Sequence, residues 1–323
     1  MKPEIRFKKK LGGDYKPIND NSLRTAVITG GWSSDFIDKL NVEPFDVLSF
    51  GEGNWGAFSF LKEVAPSLIK KLYLKFDSCI SLEGLYFLNE LEELGLKIYG
   101  SVNSRESLDC SKFRNLKRIS TEYFVGYSNN IFECPQLETV SFYDTYTTEN
   151  LEIISRATQL RDLSINGSKI KNLTGIEKLI NLNELLLSRT SIKNLDGLHS
   201  LSELEKVDLS DLRKLTSLDG LTGLKNVTRL SIESCNKVND FSCLQTMTNL
   251  EFVYINIKEI KSLKPLMNHP CIKVIHLCNS KVLDGDMSPL STLPKLKEAS
   301  YVNKQNYNIK DKEFSREAIL ARS

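Results

Sequence analysis

Apolar residues recur along this chain in a fixed frame. The stretch Leu182-x-x-Leu185-x-Leu187 is followed by Ile192, Leu195, Leu198 and Leu201, and at Leu204 the frame begins again. One period upstream it reads Leu160-x-x-Leu163-x-Ile165, then Ile170, Leu173, Ile176 and Leu179. Downstream come Leu204-x-x-Val207-x-Leu209, Val227-x-x-Leu230-x-Ile232, Leu250-x-x-Val253-x-Ile255, Ile272-x-x-Ile275-x-Leu277 and, less cleanly, Leu296-x-x-Ala299-x-Tyr301. Towards the N-terminus the anchor is Leu137-x-x-Val140-x-Phe142, Leu116-x-x-Ile119-x-Thr121, Leu91-x-x-Leu94-x-Leu96, Leu72-x-Leu74, Phe45-x-x-Leu48-x-Phe50 and Leu23-x-x-Ala26-x-Ile28. Thirteen anchors result, 21 to 25 residues apart.

Each anchor alternates inward and outward, which is strand periodicity. After it the apolar positions come every three residues, which suits 3-10 turns or short helical pieces. One such coil cannot bury its own apolar edge, so neighbours must stack, the strands forming a parallel ladder and the return segments lying outside. The pattern predicts an α/β repeat, a solenoid with a parallel concave sheet of about 13 strands and short helical or 3-10 convex segments.

This frame closely resembles the leucine-rich repeat family, in its short class of 22-residue coils that includes bacterial internalin-like and phosphatase-regulator-like repeats. The resemblance covers roughly residues 23–302. It departs from the family three residues after each anchor, where Asn is usual and this chain has Ser168, Thr190, Leu212, Cys235, Lys258 and Ser280. Cys235 reads as a ladder residue, whereas the coils holding Leu212 and Lys258 are expected to bend differently. The organisation expected is one continuous domain: an N-terminal cap over 1–22, the solenoid over 23–302 and a C-terminal cap over 303–323. Glu4–Lys8 with Gly12-Gly13 suits a capping hairpin, and the Lys8-Lys9-Lys10 run a solvated cap edge. Asp311 would cap a last helix through Leu320, laying Phe314 and Ile319 on the final coil.

Charge and cysteine usage narrow the classes. Lys and Arg total 43 against 41 Asp and Glu, a net +2, which lacks the basic excess expected of a nucleic-acid binder. No apolar run reaches the ~18–20 residues of a membrane span. The opening Met1-Lys2-Pro3-Glu4 carries no signal region, and the seven scattered cysteines suit free thiols, so the expectation is a cytoplasmic protein. The Asn-x-Ser/Thr triplets at Asn166, Asn172 and Asn226 would matter only in a secreted chain.

Little chemistry competes with the repeat. Gly51-Glu52-Gly53-Asn54-Trp55-Gly56 follows an apolar strand and precedes a helical stretch, Ala57 to Val64, with Asp77 further on; that is the context of a dinucleotide cradle. Leu48, Phe50, Leu72 and Leu74 nonetheless keep the repeat frame through it, which favours a turn between coils and leaves a nucleotide-binding enzyme as the alternative. His199, His269 and His276 belong to no nucleophile motif, and His276 with Cys278 is too small a set for zinc. No enzyme, cofactor or metal is expected.

Recognition must then rest on outward strand residues. In the N-terminal half these include Tyr73, Phe76, Tyr123 and Tyr143, with Asp144 and Tyr146 beside the last. In the C-terminal half they are Asp162, Glu184, Arg189, Lys206, Asp208, Asp211, Arg229, Glu233, Tyr254 and His276. Exposed tyrosines on a rigid sheet bring contact area at small entropy cost, and mixed charge sets register and rejects wrong partners. Trp32 and Trp55, on loops, would extend the patch along one edge. The reading is a module, monomeric alone, that binds another protein, with neither nucleic acid nor membrane as partner.

Overall fold

The computed structural model describes residues 2–8, 23–51, 55, 58–64, 68–76, 81–98, 108–122 and 129–314. The chain divides into two compact units, Met1–Thr145 and Tyr146–Ser323.

In the first unit, β1 (Glu4–Lys8) pairs antiparallel with β2 (Thr25–Thr29). Parallel pairing then runs through β3 (Val47–Phe50), β4 (Lys71–Phe76), β5 (Glu93–Ile98), β6 (Arg118–Thr121) and β7 (Thr139–Tyr146). The register joins like positions of successive anchors: Ala26 to Leu48, Leu48 to Leu72, Leu72 to Leu94, Leu94 to Ile119 and Ile119 to Val140. Every one of these side chains is buried. β1 thereby covers the edge of β2; residues 9–22, the rest of the expected cap, lie outside the described residues. The first coil returns through an α-helix, α1 (Asp35–Val42), which buries Phe36 and Leu40 and places Asp35 and Asp38 at its positive end.

The second unit repeats the plan with β8 (Asp162–Ser168), β9 (Glu184–Ser188), β10 (Lys206–Ser210), β11 (Arg229–Glu233) and β12 (Phe252–Asn256). The short β13 (Glu259–Ile260), β14 (Val274–His276), β15 (Lys281–Val282) and β16 (Glu298–Ser300) follow. Strands β8 to β12, β14 and β16 form one parallel ladder, and β13 and β15 a separate pair. All thirteen anchors are thus strands. The coils return through 3-10 turns such as Ile176–Lys178, Leu198–Ser200 and Asp219–Leu221. The three-residue spacing is the cause: with three residues per turn, Leu195, Leu198, Leu201 and Leu204 all project to one side, and all are buried. Each such leucine contributes roughly 1.5–3 kcal/mol by leaving water.

Strand endings explain the variant ladder. Gly167, Arg189, Asp211 and Ser234, each two residues after its anchor, adopt a left-handed backbone with φ of 75°, 52°, 51° and 55°. The following residue is thereby aimed inward, so Thr190, Leu212 and Cys235 are buried. Cys235 Sγ lies 3.6 Å from the Leu209 carbonyl oxygen and 3.4 Å from that of Glu233, as a ladder residue should. The Leu212 coil does not bend differently, because Asp211 makes the same left-handed turn as its neighbours. The Lys258 coil does: it has no left-handed residue at 257, so Ile257 enters the core and Lys258 stays exposed. The Ile257 N–H then finds its acceptor in Ser280 Oγ at 3.0 Å.

At the C-terminal end, Asp311–Phe314 is a 3-10 turn and Phe314 is buried, packed with Tyr301. The remainder of the expected cap helix, including Ile319, lies outside the described residues.

Candidate functional site

The outward residues of each unit form rows, because strand register places equivalent positions side by side. In the first unit one row reads Lys71, Glu93, Arg118 and the next Tyr73, Gly95, Ser120. Tyr73 points to the outer face as the alternation requires, yet it is only 1% exposed. The reason is its cross-strand neighbour: Gly95 has no side chain, and the Tyr73 ring lies across it, so close that a Cβ there would sit 2.2 Å from Cδ1. The Tyr73 hydroxyl donates to Glu93 Oε1, and Arg118 Nε donates to Oε2 at 3.1 Å, with Lys71 Nζ 4.0 Å from the same oxygen. Glu93, 5% exposed, is thus a buried carboxylate satisfied by a phenol and two cations. Burial, reinforced by the Glu93 charge, pushes the Tyr73 phenol well above its usual range. Tyr73 is corrected from contact residue to structural clamp.

Tyr146 is corrected likewise. Asp144 takes the left-handed turn (φ 54°), the alternation reverses, and Tyr146 is buried with its hydroxyl donating to the Asn150 carbonyl at 2.9 Å. Tyr143 stays half-buried on the face, its hydroxyl 3.1 Å from Ser120 Oγ, and Asp144 is exposed beside it. Tyr123 and the Phe76 side chain lie outside the described residues. Trp55 is buried, donating to the Gly51 carbonyl at 2.9 Å, and Trp32 stacks on Phe60 with centroids 4.4 Å apart. Of the glycine-rich loop only Gly51 and Trp55 are described. The expected helix after it is a five-residue 3-10 turn, Ser59–Glu63, entered through Phe58 at φ 52°.

In the second unit the rows are Asp162, Glu184, Lys206, Arg229, Phe252 and then Ser164, Leu186, Asp208, Ser231, Tyr254, His276, Ser300. Glu184 and Lys206 form an exposed ion pair. Arg189 donates from Nε to Asn166 Oδ1 at 2.9 Å. Arg229 lays its guanidinium over the Phe252 ring, 4.1 Å from the centroid.

Between β10 and β12 this row holds only the small side chain of Ser231. Asp208 stands on one side of Ser231 and Tyr254 on the other, since the three are register partners. Glu233 is two residues along β11 and receives the Asn256 amide at 3.1 Å. The Asp211 N–H donates to the Glu233 carbonyl at 2.9 Å, which holds the two acidic residues side by side. Burial, then the Glu233 charge, raises the Asp208 carboxyl above its ordinary range, and Arg229 offsets only part of this. The Tyr254 phenol is raised through its hydrogen bond with Cys278. His276 follows Tyr254 in the row, with Nδ1 2.6 Å from Ser300 Oγ and Nε2 3.8 Å from Glu298 Oε1. His269 is buried elsewhere, with Nε2 3.1 Å from the Met247 carbonyl oxygen, and His199 is exposed.

The structure therefore brings Asp208, Asp211, Arg229, Glu233, Tyr254 and His276 onto neighbouring strands of one face. It adds Lys71, Glu93, Arg118, Ser231 and Phe252, which the choice of aromatics and charges left out. The first three carried a signal: they occupy one frame position on successive coils and alternate in sign.

No protein-family model matches the sequence, and no curated protein sequence does. Solved structures are similar in fold. An internalin, InlF, from Listeria monocytogenes strain 4b F2365 aligns over 87% of this chain and 87% of its own, with a TM-score of 0.61 and 17% identity. The functional domain of InlJ from Listeria monocytogenes, described as including a cysteine ladder, aligns over 82% of this chain and 59% of its own. Its TM-score is 0.53 at 18% identity. The fold is that of a leucine-rich repeat solenoid.

Proposed function

We propose that this chain is a non-enzymatic binding module that holds a partner protein against its outward strand residues. An inhibitory or regulatory role would follow from steric cover alone, with no bond made or broken. The observation that carries this reading is the group of acidic and aromatic side chains around Ser231. Asp208, Asp211 and Glu233 face outward together, the neighbouring arginine is engaged on Phe252, and Tyr254 offers an aromatic wall. Like charges gathered on one face cost stability and are retained where a complementary surface meets them. The partner chemistry that fits is a basic side chain whose stem packs on Tyr254 while its head meets the carboxylates.

The test is affinity capture from native lysate with the wild-type chain beside an Asp208→Asn/Glu233→Gln/Tyr254→Ala variant shown to be folded by circular dichroism. A partner held by the wild type and weakened at least about tenfold, ~1.4 kcal/mol, by the variant supports the reading. That binding should also weaken as salt rises. A partner held equally by both moves the interface off this face and overturns it.

A further inference from the structure

In the second unit, the segments that lead out of the strands into the return turns are strongly basic. Residues 168–173, 190–195, 212–218, 235–240, 257–262 and 279–284 together hold nine Lys or Arg against three acids, Asp240, Glu259 and Asp284. Every segment supplies a cation three to six residues after the last apolar anchor position: Lys169, Lys193, Arg213, Lys237, Lys258 and Lys281, all exposed. Backbone bonds stack the segments coil on coil. The Ser191 N–H donates to the Ile170 carbonyl at 3.0 Å, that of Thr216 to Lys193 at 3.1 Å and that of Lys281 to Lys258 at 3.0 Å. The Lys258 N–H donates to Asn236 Oδ1 at 2.8 Å. Lys171 pairs with Glu149 and Lys261 with Asp240, whereas the six cations above make no ion pair among the described residues. The outward strand residues of the same unit carry the opposite sign at Asp162, Glu184, Asp208 and Glu233, so the net charge of +2 conceals this basic strip.

We propose that this strip is a binding site for a linear anionic polysaccharide. Stacked strands lie roughly 4.8 Å apart, inside the ~8 Å Debye length of physiological salt, so like charges on neighbouring coils repel. A polyanion laid along the coils removes that repulsion and releases its own counterions. The choice among polyanions follows from what surrounds the cations. The six segments contain no Phe, Tyr or Trp, the platforms on which nucleic-acid bases stack. Their one exposed large apolar side chain is Leu283, too little to enter a lipid surface. They do offer exposed amides at Asn194, Asn236 and Asn279, whose donors and acceptors suit sugar hydroxyls. A sugar ring and a strand spacing are of similar length, so a chain acidic on most of its sugars presents charge at the period of the coils. The strip uses none of the outward residues around Ser231 and is independent of the partner proposed there.

The experiment titrates the full chain into fluorescently labelled heparin, a sulfated polysaccharide, at a series of salt concentrations and reads anisotropy. Binding should weaken steadily as salt rises. The variant Lys193→Gln/Arg213→Gln/Lys237→Gln/Lys258→Gln, checked for fold by circular dichroism, should bind at least about tenfold more weakly and lose about one unit of log–log salt slope per cation removed. Asp208→Asn/Glu233→Gln, altered on the strand face, should bind heparin no more weakly than wild type. Three results would each overturn the proposal: no binding at the lowest salt, an unchanged affinity in the four-cation variant, or an oligothymidylate or a phosphatidylserine vesicle bound more tightly than heparin at the same salt.

Discussion

Replacing Gly95 by alanine tests the packing of the first unit's outer face at a single atom. The added Cβ would stand 2.2 Å from Tyr73 Cδ1 and 2.6 Å from Cε1, inside any tolerable contact, so the ring must move. Moving it withdraws the hydroxyl from Glu93, which remains buried with only its cationic partners. Overpacking costs about 1–3 kcal/mol, and loss of a hydrogen bond to a charged group about 1.5–3 kcal/mol. The combined loss should be about 2.5–6 kcal/mol. Urea unfolding followed by tryptophan fluorescence reads it directly, because both tryptophans, Trp32 and Trp55, lie in the first unit. Removing the ring should relieve the clash: Tyr73→Ala/Gly95→Ala should lose less than the two single changes together, with a coupling of about 1 kcal/mol or more. A Gly95→Ala midpoint within about 0.5 kcal/mol of wild type, the range of an ordinary surface change, would refute the clamp.

Three further outcomes follow from the second unit. Gly220→Ala should destabilise strongly and without side-chain rescue, because its Cβ would meet the Leu195 carbonyl oxygen at 2.1 Å and the carbonyl carbon at 2.5 Å, backbone that cannot rotate away; the check is the thermal midpoint beside Leu195→Ala/Gly220→Ala. Burial lowers the folded-state affinity of His269 for a proton, despite the Met247 carbonyl. The unfolded chain then binds protons that the native state refuses, so stability should fall as pH drops below the ordinary histidine value of about 6.5 and level off below the folded value. Urea midpoints at several pH values should show that slope in wild type and a flatter one in His269→Gln. Asp208→Asn should raise the urea midpoint at neutral pH while weakening partner binding, since the raised carboxyl marks a charge the fold itself disfavours.

The apolar frame alone was enough to place the thirteen anchor strands, though not the short pair β13 and β15. Side-chain alternation fixes which residues face inward, and stacking fixes which coils touch, so the ladders from Ala26 through Leu72 to Val140 in the first unit and from Leu163 through Leu230 to Ala299 in the second were legible position by position. The 3-10 returns followed from the three-residue spacing. Both signals are local, and the core positions repeat them thirteen times.

Exposure was not legible in the same way. Tyr73 and Tyr254 occupy the same frame position and each points outward from its own strand, yet one is a buried clamp and the other half-exposed. Each lies against a residue about twenty-two positions away in sequence: Tyr73 against Gly95, whose missing side chain receives its ring, and Tyr254 between Ser231 and His276. Tyr146 depended on one left-handed residue, Asp144, and the Ile257 coil on the lack of one. The sequence determined the coil, its period and its inward face, because these follow from a single chain's alternation in water. Only the tertiary structure decided which outward side chains reach solvent, because that depends on the sizes of neighbours on adjacent strands and on backbone turns that leave no mark in the hydrophobic frame.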